Sequence, residues 1–122
     1  MTVQELYDIA KNIMYEKPSS TIYDDYVIHN VNRVLSDLFR QNNALRMYND
    51  MEPLASVPFV SQLTDEIQYE DEYAYEVMPL GLAAYFLIDD DLAKYDIYYT
   101  DYQNAQVMRM RIVPQEKIDK WG

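Results

Sequence analysis

The sequence predicts an all-α protein: a small four-helix bundle with a long loop between helices two and three and an extended C-terminal tail. Three observations predict it. Four stretches of the 122-residue chain place apolar side chains at helical spacing. Only two glycines are present, too few for the frequent tight turns of an all-β chain. Pro53 and Pro58 fall in the one long stretch without a helical period. At this length a single domain is expected, with the helices in residues 1–111 and the tail in residues 112–122.

Thr2-Val3-Gln4-Glu5 reads as a capping box that opens the first helix. Val3, Leu6, Tyr7, Ala10, Ile13 and Met14 then fall on one face, and Lys17-Pro18 ends the element. Thr21 with Asp24 is expected to cap the second helix, running from about Ile22 to Asn42 or as far as Met47. Val27, Val31, Val34 and Leu38 form its stripe, widened by Ile28, Leu35 and Phe39. Residues 49–68 follow as a loop, long for so small a domain and therefore expected to be functional or held by a partner.

The third helix can begin at Asp65 or Glu70. Its stripe is Tyr73, Val77, Leu80, Ala84 and Leu87, with Pro79 inside the pattern. Either the helix starts near Pro79 or it runs from Glu70 and kinks there; the periodic Tyr73 and Val77 favour the kink. The run Val77 to Ile88 carries no charge and includes Leu82 and Tyr85. It is shorter than the roughly 20 apolar residues a membrane span needs, so it is expected at the centre of a core or between subunits. Gly81-Leu82-Ala83-Ala84 lets another helix approach closely. Asp89-Asp90-Asp91 breaks the chain, one of them capping a fourth helix from about Asp91 to Arg111. Leu92, Tyr95, Tyr99, Tyr102 and Gln106 form its stripe, flanked by Ile97, Ala105 and Met108.

Charge is distributed unevenly. Residues 65–101 hold eleven acids and one base, Lys94, and so carry almost all of the net −11. That balance opposes binding to nucleic-acid phosphates, which needs clustered Lys and Arg. The absence of cysteine excludes disulfides and thiol chemistry. The N-terminus has neither the basic nor the apolar region of a secretion signal. Thirteen tyrosines suit surfaces that are partly buried and partly wet, at interfaces or on a monomer.

No motif predicts catalysis. Asp89-Asp90-Asp91-Leu92-Ala93-Lys94 has Lys where a Ca²⁺ loop needs Gly. His29 is the only histidine, so a di-iron centre with two Glu-x-x-His pairs cannot form. His29 is expected on a helix surface, and no catalytic, metal or cofactor site is expected.

The strings Leu38-Phe39-Arg40-Gln41-Asn42-Asn43-Ala44, Leu63-Thr64-Asp65-Glu66-Ile67 and Met78-Pro79-Leu80-Gly81-Leu82-Ala83-Ala84 resemble those of head–tail connector (adaptor) proteins of tailed bacteriophages. Asp89-Asp90-Asp91-Leu92-Ala93-Lys94 followed by Tyr102 adds to the resemblance, which covers residues 20–110. It implies a structural virion protein, made in the host cytoplasm and located in the neck between capsid and tail. Such subunits form a ring, usually dodecameric, beneath the portal. The ring extends the DNA channel without gripping DNA specifically and offers an attachment surface to a tail or neck completion protein. Glu70, Asp71, Glu72, Asp89, Asp90 and Asp91 are then candidates to face the channel. Tyr73, Val77, Leu80, Leu82, Ala84, Tyr85, Leu87, Tyr95, Tyr99 and Tyr102 are candidates for the core or the subunit interface. By the same resemblance the tail meets the portal through Arg109, Arg111, Ile112, Val113, Lys117, Ile118, Lys120 and Trp121. The alternatives are an acidic DNA-mimic inhibitor of a host enzyme and a small helical domain that regulates one partner. A mimic would display carboxylates over its whole surface, whereas residues 1–64 carry only −3.

Overall fold

A computed structural model describes residues 1–110, and these are mostly helical. Its elements are α1 (Val3–Ile13), a 3-10 turn (Asp24–Tyr26), α2 (Val27–Tyr48), the single turn α3 (Asp71–Ala74), α4 (Met78–Leu87) and α5 (Leu92–Met110). Among the described residues there is no strand, only an isolated antiparallel bridge between Thr2 and Glu66. None of their helices is long and apolar enough to cross a membrane.

The centre is α4. With nine of its ten residues buried, it has no polar face to offer solvent. α1, α2 and α5 all pack against it. The run Val77–Ile88 thus closes the core of the single chain. Tyr73, Val77, Leu82, Ala84, Tyr85, Leu87 and Tyr102 are buried there, while Leu80, Tyr95 and Tyr99 pack at its edge.

The helix ends differ from expectation in instructive ways. Thr2 Oγ1 does accept from the Glu5 amide at 3.2 Å, but the Glu5 carboxylate meets the Thr2 hydroxyl at 3.5 Å in place of a backbone amide. α1 stops at Ile13, before Lys17-Pro18, in a Schellman motif: Tyr15 N–H donates to Asn12 and Glu16 N–H to Lys11. α2 ends in the same way through Asp50 and Met51. Tyr15 and Asp50 take the left-handed conformation, φ 61° and 60°, where glycine is usual, and so the stops carry no sequence mark.

Thr21 does not cap α2 through its side chain. Its carbonyl starts the 3-10 turn by accepting from Asp24, and the α-helix begins at Val27. Nor does one kinked helix run through Pro79. Residues 75–77 separate α3 from α4, and Pro79 lies in the first turn of α4. There its missing N–H costs nothing, whereas inside a longer helix it would remove a bond. Asp91 caps α5 as expected, its Oδ1 accepting from Lys94 N–H at 3.1 Å.

Residues 49–70 contain no helix, and the chain holds them itself. Asn32 and Asn43 on α2 each grip a residue of this segment by both amide atoms. Asn32 donates to the Val60 carbonyl at 3.0 Å and accepts its N–H at 2.8 Å; Asn43 does the same with Leu54 at 3.0 and 2.8 Å. Each amide acts as a neighbouring strand would. Further on, Leu63 and Asp65 carbonyls accept from Gln4 and Val3 N–H at 3.0 Å, satisfying amides that every helix leaves open in its first turn.

Candidate functional site

The side chains that set α5 on the core converge on Asp37. Its Oδ2 accepts hydrogen bonds from the hydroxyls of Tyr85 on α4 and, at 3.0 Å, Tyr102 on α5. The Tyr102 ring lies over Gly81, where a Cβ would sit 2.7 Å from ring atoms. The small residue is what lets α5 come this close. Arg33, one turn before Asp37 on α2, stacks its guanidinium over Tyr85 at 4.0 Å from the ring centre. Tyr99 packs tilted against Tyr85 and edge-on to Tyr102, and Tyr95 stacks on Tyr99. Burial, and then the Asp37 carboxylate, push the Tyr85 and Tyr102 phenols well above their ordinary range, so both remain donors at neutral pH. The node opens on a groove of about 390 Å³ whose lining includes Asp37, Tyr99, Gln106 and Met110.

A second groove, of about 460 Å³, lies where the first turns of α2 meet the end of α4. His29 lines it from an exposed position on α2, with Arg33, Tyr26, Asp89 and Asp90. No Ser, Thr, Cys or Lys side chain shares the lining. Tyr23 is stacked on Phe86 beneath it, its phenol raised by burial and then by the Asp90 carboxylate.

The acidic candidates do not form one cluster. Glu70, Asp71 and Glu72 precede α4, whereas Asp89, Asp90 and Asp91 follow it. A ten-residue helix is about 15 Å long, so the two groups sit at opposite ends of the core. Within them the roles diverge. Glu70 is taken by the chain itself: its carboxylate meets Arg46 at 2.8 Å and its N–H donates to Asn42. Asp91 is the cap of α5. Asp71, Asp89 and Asp90 are exposed, and Glu72 is half-buried.

Of the tail candidates only Arg109 lies within the described residues. It pairs with Glu76 at 2.6 Å and ties the end of α5 to the segment between α3 and α4. Arg111, Ile112, Val113, Lys117, Ile118, Lys120 and Trp121 lie outside them.

The stripe expected for the fourth helix faces the core at Tyr95, Tyr99, Tyr102 and Gln106, and its flank does so at Ala105. Tyr98 joins them, donating to the Ile13 carbonyl at 3.1 Å, while Leu92, Ile97 and Met108 do not and are 68, 60 and 61% exposed. The Tyr102–Gly81 contact fixes the facing side of α5 on Tyr102. Spacing alone allows several neighbouring faces on a helix so rich in tyrosine. Asp37, Asn32, Asn43 and the buried Lys11 also escaped expectation, because polar residues on an amphipathic helix read as solvent-facing. Lys11 is only 4% exposed; its ammonium donates to the Pro18 carbonyl at 2.8 Å and lies over the Tyr7 ring.

No family model, curated protein or solved structure matches the chain.

Proposed function

We propose that the protein is a structural subunit of a phage neck: a head–tail connector that assembles into a ring, docks on the portal, extends the DNA channel and presents a surface to the tail. The observation that carries this is the exposed apolar residues of α5. With the core closed around α4, that helix still turns Leu92, Ile97 and Met108 to solvent. Soluble monomers seldom gather exposed apolar side chains on one element, and such a surface suits a subunit that is covered on assembly. The resemblance of the strings at 38–44, 63–67, 78–84 and 89–94 supplies the kind of assembly. In this reading the chain is a four-helix bundle with a long 49–68 connection and a portal-binding tail from residue 112, and it performs no catalysis. Asp71, Asp89 and Asp90 are the acids most open to the channel, where negative charge keeps DNA from adhering. The DNA-mimic reading is weaker, because exposed Arg33 and Arg40 interrupt the surface of α2.

Light scattering of the full chain, alone and mixed with purified portal, tests this. A ring-sized species, or a complex with portal, is expected. A chain cut after Arg111 is expected to keep its helical content and lose the portal complex. A full chain that stays monomeric both alone and with portal overturns the proposal.

A further inference from the structure

We propose that the outer side of α5 packs against the outer stripe of α2 on a second copy of this chain, head to tail. The inference rests on the connector reading and names the two surfaces that would build its ring.

A ring grows from two different patches per subunit, each complementary to the other. The two outer helices provide such a pair. On α2, His29, Arg33, Ser36 and Arg40 follow one another at i, i+4, i+7 and i+11, and all are exposed. On α5, Ile97, Asp101, Asn104 and Met108 repeat the same spacing on the side turned away from Tyr102, and all are exposed as well. Asp96 precedes Ile97 in the chain, about 100° round the helix, and Lys94 stands nearer its N-terminal end.

Charge assigns the partner. In a chain of net −11, Arg33 and Arg40 have no carboxylate within 4.0 Å among the described residues. Asp37, beside both on α2, already accepts from two phenols, and Asp89 and Asp90 share a groove with Arg33 but leave Arg40 outside it. Asp96 and Asp101 likewise have no cation within that distance among the described residues. A stripe whose charges include two arginines and a stripe that carries Asp101 between Ile97 and Met108 are complementary in charge. Neither is complementary to itself, which disfavours α5 meeting α5 or α2 meeting α2 across a two-fold axis. Ser36 leaves room between the two arginines for an apolar side chain such as Ile97 or Met108. The geometry also permits repetition. α2 and α5 both pack against α4, and the two stripes lie on different elements. A contact between them leaves one free surface of each kind on the pair.

Reciprocal charge reversal tests the proposal. One variant carries Arg33→Glu and Arg40→Glu, the other Asp96→Lys and Asp101→Lys. Each alone presents like charges at the contact, and each is expected to lose assembly and run at subunit mass. Mixed in equal amounts, they restore both kinds of contact in alternation, and assembly is expected to return. Because Arg33 also stacks on Tyr85, Arg40→Glu alone serves as a second variant whose fold has nothing to lose; it is expected to shift the assembly midpoint to higher protein concentration. Wild-type assembly should weaken as salt is raised. If wild type forms rings and both reversed variants form them equally well, this pair of surfaces is wrong and the connector reading stands. If only the α5 reversal matters, α5 meets a different surface and the inference falls. If wild type is monomeric both alone and with portal, the connector reading falls and takes the inference with it.

Discussion

Gly81 and Tyr15 show how a single residue's placement matters more than its type. Gly81 sits in a helix interior, where glycine normally destabilises by roughly 0.5–1 kcal/mol relative to Ala. Here the space is occupied: a Cβ would stand 2.7 Å from the Tyr102 ring. That ring is buried, with its hydroxyl fixed on Asp37, and cannot swing away. Gly81→Ala is therefore expected to destabilise by about 1–3 kcal/mol, the range for overpacking, despite the gain in helix propensity. Urea unfolding checks it; an unchanged or higher midpoint would show that α5 yields easily. Tyr15 is the reverse case, a non-glycine residue at φ 61° and 93% exposed, tolerated because the Schellman bonds around it hold the turn.

At the scale of elements, the segment 49–70 and α2 are one unit. Asn32 and Asn43 are eleven residues apart on α2, about 16 Å along its axis. Val60 and Leu54, which they grip, are six residues apart, a span of about 18 Å at polyproline-like extension. The match explains why this segment lies extended and antiparallel along the helix without forming a strand. Replacing both asparagines by Ala removes four hydrogen bonds and strands backbone groups of a half-buried segment. A loss of about 2–4 kcal/mol is expected, from roughly 1 kcal/mol per net bond. Hydrogen exchange at Leu54 and Val60 should accelerate well before the amides of α4. Uniform acceleration throughout the chain would mean that segment and core unfold together. The two carbonyls that accept from the start of α1 are equally cross-element: Asp65 and Leu63 complete its first turn from about 60 residues away.

For the molecule as a whole, tyrosine is the dominant core aromatic, and this makes stability depend on alkaline pH. Burial raises the phenols of Tyr7, Tyr69, Tyr85 and Tyr102, and pushes Tyr73 up to about 12. The sign follows from proton counts. Above pH 10 the unfolded chain releases phenolic protons that the folded chain retains, so the unfolded state binds fewer and stability falls as pH rises. Each unit of difference is worth about 1.4 kcal/mol, so Tyr73 alone withdraws roughly 2–3 kcal/mol by about pH 12. Unfolding midpoints are expected to decline steadily from about pH 10, with tyrosinate absorbance appearing together with loss of helix. Tyrosinate formed in a chain that stays helical would contradict the buried placement of these rings.

Much of this architecture was legible in the sequence because it follows from local rules. The spacing of Val27, Val31, Val34 and Leu38 allows only a helix with one buried face, and an uncharged run such as Val77–Ile88 must be enclosed. Thr2 and Asp91 are caps by their chemistry and position. What remained was decided by contacts between distant residues. The seating of Tyr102 on Gly81 set how closely α5 approaches α4 and left Ile97 and Met108 outside the core. Asp37, Asn32, Asn43 and Lys11 acquired partners that no periodicity announces, because a hydrogen-bonding side chain does not encode whether water or a remote carbonyl will satisfy it. Local sequence determined the helices and their apolar stripes; only tertiary packing decided how closely α5 seats on α4 and which surface the chain leaves uncovered, since those depend on steric fit between elements distant in the chain.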